Sequence, residues 1–212
     1  MQTDDLILDL AGRADEDDGG FVLPLWSAAL IAPVLAAAVF MVLLGPRPDF
    51  VASLSTLRFD MKFIEAGLFA LTMLAVMAAL ARPARPWRQR LRLILLPACV
   101  LLAAIGVELL VVPEGLWASR AIGQNAGNCL IAIPSIGAPV LALFLFVLSR
   151  QAPTHPAVAG AVAGAAAAGI AALFYAAHCP DDSPLFVALW YPLASLILAG
   201  AGAFAGGRLL RW

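Results

Sequence analysis

Two cysteines, a histidine and a few charged side chains hold most of the chemistry available to this 212-residue chain. Cys179 follows His178 in the segment His178-Cys179-Pro180-Asp181-Asp182-Ser183-Pro184, a polar break between two apolar stretches. Thiolate and imidazole are soft-metal ligands, and a thiol near a membrane surface is open to oxidation. Capping explains half of the segment. Asp182 or Ser183 can accept a hydrogen bond at the start of the following helix, with Pro184 in its first turn. That account leaves His178 and Cys179 without a role, so both are candidate sensing or metal-ligating residues. Cys129 opens an earlier apolar stretch and is the candidate partner of Cys179. The three cysteines are too few for a disulfide scaffold and too scattered for a CxxC-type metal site. Cys99, inside another apolar stretch, reads as a buried small hydrophobe.

The second candidate region is the leader, TDDLILDLAGRADEDDGG. Half of the 14 acidic residues fall within the first twenty positions. Thr3 can cap a helix whose first turn holds Asp4 and Asp5, where the helix dipole favours acids. Leu6, Ile7 and Leu10 then share one face, and Gly12, Gly19 and Gly20 break the pattern. Such a short amphipathic helix is marginal alone in water and orders on binding. Asp4, Asp5, Leu6, Ile7, Asp9 and Leu10 are therefore the candidate partner-binding set, with the apolar face in a groove and the carboxylates on a basic rim. The bland alternative is a solvated leader.

The third set comprises Asp60, Lys62, Glu65 and Glu108, near the ends of two apolar stretches. Lys62 and Glu65 can meet on one helix face, and Glu108 can pair with Lys62 or Arg58 across helices. Ionisable residues at membrane depth are functional candidates. Their shallow placement favours a salt bridge at the membrane surface.

These side chains must be positioned by an all-α membrane bundle. With 63% hydrophobic and 13% charged residues, the chain would expose far too much apolar surface as a soluble domain. Six apolar stretches at about 23–44, 61–80, 91–112, 127–148, 157–177 and 185–206 each match the ~20 residues that cross a bilayer. They predict a polytopic six-helix transmembrane domain over 23–212, preceded by a short cytoplasmic segment, 1–22. The acidic N-terminus lacks the basic region of a cleavable signal, so the first stretch is expected to stay as an anchor. With both termini on one side, that side holds nine of the 13 Lys and Arg residues, led by the segment ARPARPWRQRLR. The positive-inside rule then makes both termini cytoplasmic and puts Cys129 and Cys179 together on the outer side. Gly160 with Gly164, and Gly202 with Gly206, give small-xxx-small faces for helix packing or a homodimer.

A net charge of −1 gives no electrostatic footprint for nucleic acid. No Walker A, HExxH or GxSxG motif is present, nor any nucleophile–base pair, so no enzymatic activity and no cofactor are expected. A small cation transporter or channel using Glu65, Glu108 and the HCPDD loop is the alternative, opposed by the lack of charge near any span's midpoint.

The segments TDDLILDLA, RFDMKF, GNCLIAIPSIGAPVLALFLFVLSRQAPTHP and YAAHCPDDSPLFVALWYPLA resemble the negative-regulator-of-sigma-F family. These are six-span bacterial inner-membrane anti-sigma factors for extracytoplasmic-function sigma factors. The resemblance implies that the leader binds the sigma factor and keeps it from RNA polymerase. It also implies that the cysteines at 129 and 179, in the periplasm, sense heavy metals or oxidants in a stress response. The bundle would carry the signal between them, with the lipid bilayer as its other partner and no direct contact with nucleic acid. The resemblance gives Cys99 no role.

Overall fold

The structure, a computed structural model, describes residues 18–82, 86–151 and 153–211, with side chains from Leu25 onward. Among these residues every regular element is helical. The six long helices are α1 (Asp18–Leu43), α2 (Leu57–Leu80), α3 (Leu95–Val111), α4 (Ala126–Leu148), α5 (Pro156–Ala176) and α6 (Pro184–Leu209). Short helical turns precede α3 and α4 and lengthen those spans, and all six spans are long and apolar enough to cross a membrane. The expected all-α polytopic fold is thus the observed one.

Side-chain size sets the position of each helix. α5 is built almost wholly of Ala, Gly and Val, and it packs against α1, α2, α4 and α6. Without bulk, its backbone comes close enough to others for dispersion contacts to replace the hydrophobic drive that lipid removes. At the α5–α6 crossing a Cβ on Gly160 would meet the Gly202 carbonyl, and one on Gly164 the Leu198 carbonyl. The two small-xxx-small faces are therefore used on each other within one chain. They are not free to make the homodimer considered from sequence.

α1 presents one stripe inward, with Leu25, Ala28, Ala32, Ala36 and Phe40 buried at helical spacing. α3 is the outlier. Only Pro97 and Glu108 of its 17 residues are buried. Cys99 is exposed on the outside of the protein, which corrects the expectation of a buried residue. Composition marks a helix as apolar, but here the apolar face turns to lipid and α3 has little bundle to pack on.

Candidate functional site

A cluster of polar residues gathers at one end of the bundle, where the loops α1–α2, α3–α4 and α5–α6 meet. Gly45, with φ +69°, turns the chain out of α1 and delivers Pro46-Arg47-Pro48 inward. Arg47 is buried against α2, with its guanidinium carbon 4.7 Å from the centre of the Phe59 ring. Its Nη1 donates to the Cys179 carbonyl at 3.2 Å and to Asp182 Oδ2 at 3.1 Å, and its Nη2 donates to Ser53 Oγ. Nε lies 3.1 Å from Asp49 Oδ1.

Lys62 arrives at the same place from α2. It is 1% exposed, and a bare ammonium at that depth would be costly. Its Nζ donates to the Cys179 carbonyl at 2.8 Å and pairs with Asp182 at 2.5 Å. Two cations from different helices thus hold one loop through one carbonyl and one carboxylate. The expected Lys62–Glu65 contact is absent. Lys62 reaches across to the loop instead, because Asp182 offers a charged partner together with the carbonyl.

The other loop residues each fasten a different helix. Asp181 accepts from Gln124 N (3.1 Å), Asn125 N (2.9 Å) and Asn125 Nδ2 (3.0 Å), and so satisfies orphan donors at the start of α4. Ser183 caps α6 by accepting from Leu185 N at 3.3 Å, as the sequence suggests. Its hydroxyl also donates to Glu108 Oε1 at 3.1 Å. Glu108 pairs with Arg58 at 2.9 Å, as expected, and also with Arg120 at 3.0 Å. The loop is thereby the common tie of α2, α3, α4 and α6.

Beneath this tie sit the thiols. Cys129 lies in the first turn of α4 and Cys179 in the loop, and both are 0% exposed and unoxidised. They lie close enough to influence each other's charge, in a group with Tyr175 and Tyr191, whose ring centres are 6.2 Å apart. Burial pushes the Cys179 thiol above its ordinary range, and the Lys62 ammonium pulls it partly back. The thiol expected to be open to oxidation is thus enclosed and held protonated at neutral pH. His178 points elsewhere. Its Nδ1 donates to the Gly45 carbonyl at 2.9 Å, and its ring stands 6.3 Å from Tyr175. Among the described residues, no three His, Cys, Asp or Glu side chains are arranged to hold a metal ion. The structure therefore joins the two cysteines but does not add His178 as a third ligand.

The full length of this arrangement has relatives. A family model described as "Negative regulator of sigma F" matches residues 17–212. The chain belongs to that family. It is 34% identical to the anti-sigma-F factor NrsF of Caulobacter vibrioides over an alignment that covers all of both chains. It is also 34% identical to a probable anti-sigma-F factor NrsF of Azospira oryzae, across 52% of this chain and 57% of that protein. No solved structure matches it. The family's match includes all six long helices and both thiols. Asp4, Asp5, Leu6, Ile7, Asp9 and Leu10 lie outside the described residues.

Sequence reasoning missed Arg47, Asp181, Tyr175 and Tyr191. Arg47 counted only as a loop charge. Its bracketing by Pro46 and Pro48, directly after a span, was the available signal that its position is held rigidly. The tyrosines are the only two in the chain, both placed inside apolar stretches where a hydroxyl needs a reason.

Proposed function

We propose that this chain is a membrane-bound anti-sigma factor with its N- and C-termini in the cytoplasm of a bacterial inner membrane. Segment 1–22 holds an extracytoplasmic-function sigma factor, with Leu6, Ile7 and Leu10 in a groove and Asp4, Asp5 and Asp9 facing basic residues. The acids act more on specificity and association rate than on affinity. A metal or oxidant reaching Cys129 and Cys179 from the periplasm favours a different helix arrangement, and the sigma factor is released.

The observation that carries this reading is the family match along the whole six-helix domain. The site supports it in physical terms. The thiols belong to α4 and to the one loop that ties four helices together, so a bond formed there must move helices as well as side chains. Their burial makes the resting state quiet toward casual oxidation and requires an agent that enters, or a brief opening of the loop. The nine-to-four distribution of Lys and Arg supports the orientation.

Three measurements test it. A sigma factor should co-purify with the full-length protein, and a Leu6→Ala, Leu10→Ala variant should lose both that partner and repression in cells. A Cys129→Ser, Cys179→Ser variant should repress normally but fail to respond to cadmium or hypochlorite. Unaltered induction in that variant would remove the sensor role. In spheroplasts opened only on the outside, an impermeant maleimide should reach positions 129 and 179 once the loop is loosened by Lys62→Ala. Labelling only after lysis would reverse the orientation.

A further inference from the structure

Of the two buried glutamates at the polar end, Glu108 holds ion pairs and Glu65 does not. Arg47 and Lys62 are matched by Asp49 and Asp182, and Arg58 and Arg120 by Glu108. Glu65, one turn along α2 from Lys62, is 7% exposed, and its Oε1 is buried with no hydrogen-bond partner among the described residues. An unpaired buried carboxylate is costly at membrane depth. No donor of the described residues reaches Oε1, so that oxygen is free to accept from a bound group.

The space for such a group is present. Glu65 lines one end of a cavity of about 420 Å³ between α2, α3, α5 and α6. The walls include Phe69, Met73, Ala98, Leu101 and Leu196, so the cavity is mostly apolar, with Tyr191 and Ser195 as its other polar side chains. Its volume falls within the range of roughly 300–1,000 Å³ typical of small-molecule sites. α3 forms one wall and packs little on the bundle, so lateral entry from the bilayer needs only a small displacement. One end accepts charge-assisted hydrogen bonds, and the rest accepts hydrocarbon.

We propose that this cavity is a binding site for long-chain aliphatic amines, with the ammonium on the Glu65 carboxylate and the alkyl chain between α2, α3 and α6. An ammonium supplies a positive charge and up to three donors, whereas an alcohol supplies one neutral donor. The site adjoins the thiol group through Tyr191 and does not depend on the sigma-release reading.

The test uses the full-length protein in phosphatidylcholine nanodiscs and a twelve-carbon primary amine carrying a diazirine on its tail. Irradiation should label peptides of α2, α3 and α6 that line the cavity, and dodecylamine should compete. Dodecanol should compete about tenfold less well, as expected for loss of one charge-assisted bond. Glu65→Gln should erase the preference for the amine. Ala98→Phe, on the loosely packed α3, keeps the carboxylate but fills the cavity, and it should abolish labelling there. Equal competition by dodecanol, or amine preference that survives Glu65→Gln, would reduce the cavity to a slot for lipid chains and overturn the proposal. Undiminished labelling in a folded Ala98→Phe variant would place the amine elsewhere and overturn it too.

Discussion

α5 and α3 are both apolar helices of one bundle, yet 67% of the α5 span is buried and only 11% of the span containing α3. The difference follows from side-chain size. Ala and Gly on α5 let backbones touch, while Leu, Ile and Val on α3 fit the fluid outside. What holds α3 is mostly polar and sits at one end, where Glu108 joins Arg58, Arg120 and Ser183. In this molecule close packing builds the frame, and ion pairs attach α3 to it.

The sharpest way to break the contrast is at the α5–α6 crossing. Gly160→Leu drives a side chain into the Gly202 backbone. It should cost about 3 kcal/mol or more, visible as lost monodispersity in detergent and a lowered midpoint in SDS unfolding. Gly106→Leu on α3, where nothing lies within contact of a new Cβ, should be tolerated. Next comes the tie itself. Lys62→Met removes one of two cations from the partly exposed Asp182 and a donor from the Cys179 carbonyl, and should destabilise by about 2 kcal/mol. The same measurement checks it, and Arg58→Met, on a half-exposed side chain, should cost less, about 1 kcal/mol, because Arg120 and Ser183 still hold the buried Glu108.

A smaller effect separates frame from loop by pH. The folded protein holds the Cys179 thiol protonated above its ordinary range. Above about pH 8.5 the unfolded chain therefore releases a proton that the folded one keeps. Stability falls as pH rises through that window, at no more than about 1.4 kcal/mol per pH unit for one group. Cys179→Ser should flatten the slope. Smallest of all is Leu110→Ala on α3, 89% exposed, expected to change stability by no more than about 0.5 kcal/mol.

Hydropathy was enough to find six spans because burial in lipid needs only length and apolarity, and each stretch stands between charged or proline-rich breaks. The same property hides orientation about the helix axis. Nothing in the residues around Cys99 distinguishes a lipid-facing thiol from a buried one. Local rules found the Ser183 cap and, across helices, the Arg58–Glu108 pair. They failed for Lys62, where a partner three residues away lost to one 120 residues away that also carries a second acceptor. Arg120 on Glu108 and Asp181 on α4 were invisible for the same reason, since partner choice between loops is settled by the assembled end of the bundle. The pairing of Cys129 with Cys179 was legible only as shared sidedness, and their enclosure was not legible at all.

The loop is gripped at position 179 by a peptide oxygen that accepts hydrogen bonds from both Arg47 and Lys62. Every amino acid brings that oxygen, so the grip is indifferent to which side chain stands there. Mechanical anchorage and chemical reactivity are thus vested in separate atoms of one residue. An experimenter can exchange the sulfur for another small group while the loop keeps its anchorage.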